Sequence, residues 1–242
     1  MTNKGLVVSD LVKSYGSRCV VNGLSLHVAP GEVVGLLGPN GAGKTTAFYM
    51  IIGLIKPDAG KVVFDDIDIT ELPIHCRSRL GLGYLAQEPS VFRDLTVEQN
   101  LITVLEAVEQ DIDTIYHRKD TLLKELGLSS FSSKKASTLS GGERRRLEIA
   151  RALATSPRCL MLDEPFANID PLAIADLKSM ITLLKSKGIS ILITDHNARE
   201  LVSVVDRGYL VADGKLLSSG TSSELLDDAQ ARARYFGEDF TV

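Results

Sequence analysis

Residues Gly38-Pro39-Asn40-Gly41-Ala42-Gly43-Lys44-Thr45 fit the pattern G-x-x-x-x-G-K-[ST]. The chemistry this pattern suits is the binding of a polyphosphate. Backbone N–H groups must converge on the anion, and side chains would block that approach. Gly38, Gly41 and Gly43 remove Cβ atoms and accept positive φ. A helix beginning after Gly43 would aim its free N–H groups and its dipole at the anion. Lys44 can bridge phosphate oxygens, and the Thr45 hydroxyl, followed by Thr46, can ligate Mg²⁺. A plain glycine-rich turn has a similar composition. The flanks favour the phosphate loop: the apolar run Val33-Val-Gly-Leu-Leu37 precedes it and a helix-like apolar stretch follows.

Two further segments carry chemistry. Cys159-Leu-Met-Leu162, a second buried-strand pattern, runs into Asp163-Glu164-Pro165. Carboxylates at the C-terminal end of such a strand stand where open α/β sheets place their ligands. Asp163 is the candidate Mg²⁺ partner and Glu164 the candidate base that polarises an attacking water. Leu139-Ser140-Gly141-Gly142-Glu143 contains an S-x-x-E capping box with Ser140 as N-cap. Two glycines in a first helical turn cost about 1 kcal/mol each relative to alanine. A helix start left bare for the close approach of an anion would account for that cost.

The elements that must position these residues follow from periodicity. Strand-like runs fill the first 30 residues, as at Leu6-Val-Val-Ser and Ser25-Leu-His-Val, and predict an antiparallel β subdomain. From about residue 88 to 157 helical spacing replaces them. Thr96 and Gln99 form one capping box, and a helix is expected over 116–126, ending at Gly127. Asp170-Pro171 opens a long helix that stops near Gly188, and Ile189-Ser-Ile-Leu-Ile193 is a third buried strand. A hairpin at Asp213-Gly214 and a helix capped by Thr221 and Glu224 complete the pattern. Buried strands alternating with helices imply the α/β class with a mainly parallel sheet.

Composition sets the outer limits. The 242 residues are 44% hydrophobic and 24% charged, with a net charge of −4. That is an ordinary globular mixture without a basic field for nucleic acid. Cys19, Cys76 and Cys159 are widely spaced and are expected as free thiols in a reducing, cytoplasmic setting. The richest apolar stretch, residues 45–55, is far short of the roughly 18–20 a spanning helix needs. No leader-like apolar segment is seen at the N-terminus.

The phosphate loop, the 139–143 segment and the Asp163-Glu164 pair together resemble the nucleotide-binding subunits of ATP-binding cassette (ABC) proteins. The resemblance covers essentially the whole chain. It implies a P-loop NTPase of ABC type: one domain with a core of residues 1–87 and 158–242 and an inserted helical subdomain over about 88–157. Tyr15 matches the aromatic that stacks on adenine in this family, and a stacking role suits its π-face. Gln87, in Leu85-Ala-Gln-Glu-Pro89, matches the glutamine that reaches Mg²⁺ or the lytic water. His196, in Thr194-Asp-His-Asn197, matches the histidine that contacts the γ-phosphate. Asp170 matches the loop that touches the opposite subunit, although Ala167 stands where serine is commoner. The resemblance also implies a head-to-tail homodimer in which Ser140, Gly141 and Gly142 of one subunit meet the ATP held by the other.

Within that family the chain is similar to the ATPase subunits of lipopolysaccharide export transporters. The run Leu72-Pro-Ile-His-Cys-Arg-Ser-Arg79 and the ending Gly237-Glu-Asp-Phe240 are the discriminating pieces. This implies peripheral attachment to the cytoplasmic face of an inner membrane, beneath two transmembrane permease subunits. Their coupling helices would enter a groove near residues 87–93, with Phe92 as apolar anchor and Arg93 as charge partner. Packing of Phe92 inside the helical subdomain is the plainer alternative. An importer ATPase of the branched-chain amino acid type shares every catalytic motif. A soluble, non-transport ABC protein fits less well, because the chain has one cassette and no heptad run.

Overall fold

The computed structural model describes residues 5–167, 171–237 and 240, with Leu172 described by its backbone alone. Two sheets organise the chain. The first is antiparallel, in the order β2 (Arg18–Val28), β1 (Leu6–Tyr15), β4 (Ala59–Phe64), β5 (Ile67–Asp68). The second has the order β10 (Lys215–Thr221), β9 (Arg207–Ala212), β3 (Val33–Leu37), β8 (Ser190–Thr194), β7 (Cys159–Asp163), β6 (Leu82–Leu85). It is parallel from β9 to β6, with β10 antiparallel at one edge. The fold is the expected α/β arrangement, a mainly parallel core sheet with an N-terminal antiparallel sheet.

Strands β3, β7 and β8 are buried along their whole length, which is why their sequences read as continuous apolar runs. Their period-2 alternation divides the core. Val34, Leu36, Met161 and Leu192 face helix α1 (Lys44–Ile52) and the antiparallel sheet. Val33, Leu37, Leu160, Leu162, Ile191 and Ile193 face the other way, towards α6 (Pro171–Ser186).

Helix α1 is closed at its C-terminal end by a side chain that the sequence reading passed over. Arg77, on α2 (Ile74–Arg79), is 1% exposed. Its Nη1 donates to the carbonyls of Met50 (2.8 Å) and Ile51 (2.5 Å), Nε to Leu72 O (2.7 Å) and Nη2 to Thr70 O (2.8 Å). Gly53 leaves room for it: a Cβ there would lie 2.6 Å from Arg77 Nε. Burial pulls the guanidinium pKa down to about 10.

Three helices lie between β6 and β7: α3 (Val97–Glu106), α4 (Ile112–Glu125) and α5 (Gly141–Leu153). The capping boxes of Thr96 with Gln99, Ser140 with Glu143 and Thr221 with Glu224 all form. Helix α4 starts earlier than expected, at an Asp111 cap, and Gly127 follows its end at φ 64°. After β8 comes α7 (Ala198–Val202), and after β10 come α8 (Ser222–Asp227), α9 (Ala229–Ala231) and a π-turn segment, Arg232–Phe236. Strands β1 and β2 are longer than their patterns suggest. Register shifts break their alternation, so periodicity exposes only fragments of them. Strands β4 to β6 and helix α2 were not anticipated. No helix among the described residues is long and apolar enough to cross a membrane.

Candidate functional site

The phosphate-type loop joins β3 to α1 at the C-terminal edge of the parallel sheet. Gly38, Gly41 and Gly43 all have positive φ, at 147°, 80° and 98°. A Cβ on Gly38 would stand 2.1 Å from Val211 O, and one on Gly43 2.5 Å from Val20 O. The loop is therefore moulded against β9 and β2. Pro39, Asn40, Gly41 and Thr45 are exposed along its outer side, Thr46 is partly covered, and Ala42 is buried. The α1 N-cap, Gly43, supplies no side-chain hydrogen bond, so the helix start faces outward uncapped. Lys44 is buried and its Nζ donates to Gly38 O (2.6 Å) and Pro39 O (3.0 Å). Burial holds this ammonium below the usual lysine range, against the opposing pull of Glu164 and Asp195.

The acidic pair ends β7. Asp163 is 2% exposed, and burial raises its carboxyl to about 6, opposed by a hydrogen bond from Tyr84. Glu164 has φ 45° and donates its N–H to Thr194 O at 2.7 Å. That left-handed backbone is uncommon for a non-glycine residue and turns the side chain off the strand direction. Glu164 Oε2 accepts from Gln87 Nε2 at 2.8 Å and lies 3.4 Å from His196 Nδ1. Gln87, Glu164 and His196 thus meet at one point. Asp195 was not singled out from the sequence. It is fully buried, accepts the N–H groups of Phe166 and Asn197 at 2.8 Å each, and so ties the β7 turn to the β8 turn. Burial raises its carboxyl above the usual range. Its position directly before His196 is the signal that could have found it.

The candidate metal-holding residues offer only oxygens: the Asp163 carboxylate at the end of β7, the Thr45 hydroxyl at the start of α1 and the Gln87 amide carbonyl after β6. Thr194 Oγ1, buried at the end of β8 where Thr194 pairs with Asp163, has no hydrogen-bond partner among the described residues. Such a set suits a hard divalent cation that takes its remaining ligands from phosphate and water. No group of three or more His, Cys, Asp or Glu residues that could hold a metal by itself occurs among the described residues.

Helix α5 starts across a cavity of about 230 Å³ whose walls include Gln87, Gly141, Arg145 and Glu164. Ser140 Oγ accepts Glu143 N–H at 3.3 Å and Ser140 N–H donates to Glu143 at 2.7 Å, so the cap is satisfied within the helix start. The expected Ser140–Glu143 capping box is present, and Gly141 and Gly142 after it carry no side chain. Tyr15, at the end of β1, is 51% exposed, with Lys13 Nζ 5.8 Å from its ring centroid. Asp170 lies outside the described residues. Phe92 is 45% exposed, which removes the interior-packing alternative, and the Arg151 guanidinium lies 4.5 Å from its ring centroid. Arg93 is exposed beside it. A groove of about 240 Å³ opens next to them, bounded by Ile74, Ser78, Tyr84, Ser90, Val104 and Arg151. Of the 87–93 segment, Ser90 lines it.

Residues 21–167 match the family model described as ABC transporter. The chain is 50% identical over 237 residues to the lipopolysaccharide export system ATP-binding protein LptB of Acidithiobacillus ferridurans, covering 98% of each chain. It is 48% identical over 239 residues to the protein of that name in Escherichia coli (strain K12), covering 98% of this chain and 99% of that one. Among solved structures, the ADP conformation of an ATP-binding cassette of an ABC transporter superposes with a TM-score of 0.87 at 29% identity, covering 97% of this chain and 99% of that one.

Proposed function

The chain belongs to the ABC transporter family, and from that membership we propose that it is the ATP-hydrolysing subunit of a lipopolysaccharide export transporter. The convergence of Gln87 and His196 on Glu164, beside an uncapped helix start, is the observation that carries hydrolysis. The lipopolysaccharide assignment rests on near-full-length identity to relatives that bear that name. It is favoured on that ground over an importer.

ATP enters with its phosphates against the N–H groups of residues 38–46 and its base against Tyr15. Lys44 leaves the carbonyls of Gly38 and Pro39 for phosphate oxygens, whose negative charge offsets the desolvation of the buried ammonium. Thr45, Gln87 and Asp163 would hold Mg²⁺. The ion would supply charge neutralisation at the phosphates. Glu164 accepts the proton of the attacking water once the Gln87 amide releases its carboxylate, and His196 orients towards the terminal phosphate. Ser140, Gly141 and Gly142 complete the site of a second copy in a head-to-tail homodimer, with Asp170 at the contact. Two transmembrane permease subunits dock by helices in the groove beside Phe92 and Arg93. This places the protein peripherally on the cytoplasmic face of the inner membrane, with helices α3–α5 as the subdomain that moves.

Glu164→Gln tests the assignment of the base. It should bind ATP, lose hydrolysis by at least about a hundredfold, and accumulate an ATP-dependent dimer on size exclusion. Hydrolysis near the wild-type rate would remove Glu164 from that role.

A further inference from the structure

Strand β6 is the outermost strand of the parallel sheet, and among the described strands it pairs with β7 alone, Tyr84 standing opposite Met161 and Leu85 opposite Leu162. Its free side forms a wall of the groove between α2 and the end of α5, and Tyr84 is part of that wall. The same residue reaches inward: its hydroxyl donates to Asp163 Oδ2 at 3.2 Å. The Phe48 ring, on α1, packs 6.3 Å from the Tyr84 ring, centroid to centroid. One phenol therefore touches the groove, the phosphate-loop helix and the acidic end of β7. Packing alone would be served by phenylalanine, since the ring already sits against Phe48. The hydroxyl has a separate use: a buried carboxylate needs a donor to fix its orientation.

We propose that Tyr84 is a positioning residue for Asp163, and that its hydroxyl makes the metal-binding end of β7 sensitive to a permease helix lodged in the groove. The inference rests on the functional reading above. Gln87 and Tyr84 then act as two separate lines from the β6 segment, the first to Glu164 through an exposed loop, the second to Asp163 through the strand itself. A helix pressing on the outer edge of β6 moves the phenol and so turns the Asp163 carboxylate relative to Thr45.

The test titrates Mg²⁺ against binding of a fluorescent ATP analogue, and separately against hydrolysis, in the full-length protein. Tyr84→Phe should raise the Mg²⁺ midpoint by about tenfold or more, the worth of one hydrogen bond to a charged group. Nucleotide binding without metal should stay at its wild-type value. An unchanged Mg²⁺ midpoint, or an equal loss of metal-free binding, overturns the positioning role. Ala152→Trp, which narrows the groove from α5, probes transmission. It should move the Mg²⁺ midpoint with Tyr84 in place and not in the Tyr84→Phe background. No shift in either background, or equal shifts in both, overturns the link to the groove. If the wild-type protein binds no nucleotide at any Mg²⁺ concentration, the functional reading itself fails, and that result is distinct from all of these.

Discussion

Two helix starts in this molecule are rich in glycine, and their glycines answer to different demands. At the start of α1, the backbone itself requires them: positive φ throughout, and carbonyls of Val211 and Val20 where Cβ atoms of Gly38 and Gly43 would stand. At the start of α5 nothing among the described residues does. Among the described residues, a Cβ on Gly141 would meet no atom within 4 Å, and one on Gly142 would make ordinary contact with Ala173 Cβ at 3.7 Å. Alanine would be the better helix former at both positions. The first site is shaped by its own chain, whereas the missing side chains of the second are left for something outside it. That contrast supports a nucleotide presented by another subunit.

The contrast can be broken most directly at Gly38. Gly38→Ala should cost at least about 3 kcal/mol in urea unfolding, because a Cβ cannot occupy a backbone carbonyl and the left-handed φ is strained as well. It should abolish ATP binding with it. Wild-type stability in this variant would mean that the loop is not moulded by β9. Gly141→Ala sharpens the other half. Stability should hold or rise by up to about 1 kcal/mol, while hydrolysis falls by about tenfold or more. A stability loss at this position would show that α5 needs its glycine for folding. Ser140→Ala removes a cap rather than an approach path, and should lower stability by about 1 kcal/mol in the same assay.

The smallest effect is in pH. Lys44 has a folded-state pKa below 10.5, so in the window beneath that value the unfolded chain binds more protons and stability rises with pH. Glu143 behaves oppositely. Its carboxylate, lowered from 4.5 by the Ser140 N–H, adds stability above that value and loses it as pH falls through the folded-state pKa. Lys44→Met should flatten the alkaline slope and Glu143→Gln the acid one. Exchange of those two signatures would undo the distinction between a buried loop cation and an exposed cap.

What the sequence revealed and what it hid divides along the same physical line. Caps, the glycine loop and the buried strands were legible because each is a local rule over a few residues. Gln87, Glu164 and His196 were legible through the family pattern, although their meeting depends on three separate strand ends. Tyr84 and Arg77 were not. Their partners, Asp163 for one and the carbonyls of Thr70, Leu72, Met50 and Ile51 for the other, are chosen by tertiary packing. Strand β6 escaped notice because four residues with a central Gly83 make no readable period.

Arg77 has one more consequence, and it concerns the order in which the molecule comes apart. Its guanidinium joins the last turn of α1 to the segment that follows β5. Neither piece can open without stranding a buried cation, and that penalty makes them a single cooperative unit. Amides of β4 and the C-terminal half of α1 should therefore exchange with solvent at one shared free energy. The antiparallel sheet, which looks like a separate layer, would keep the phosphate-binding helix folded for as long as it is folded itself.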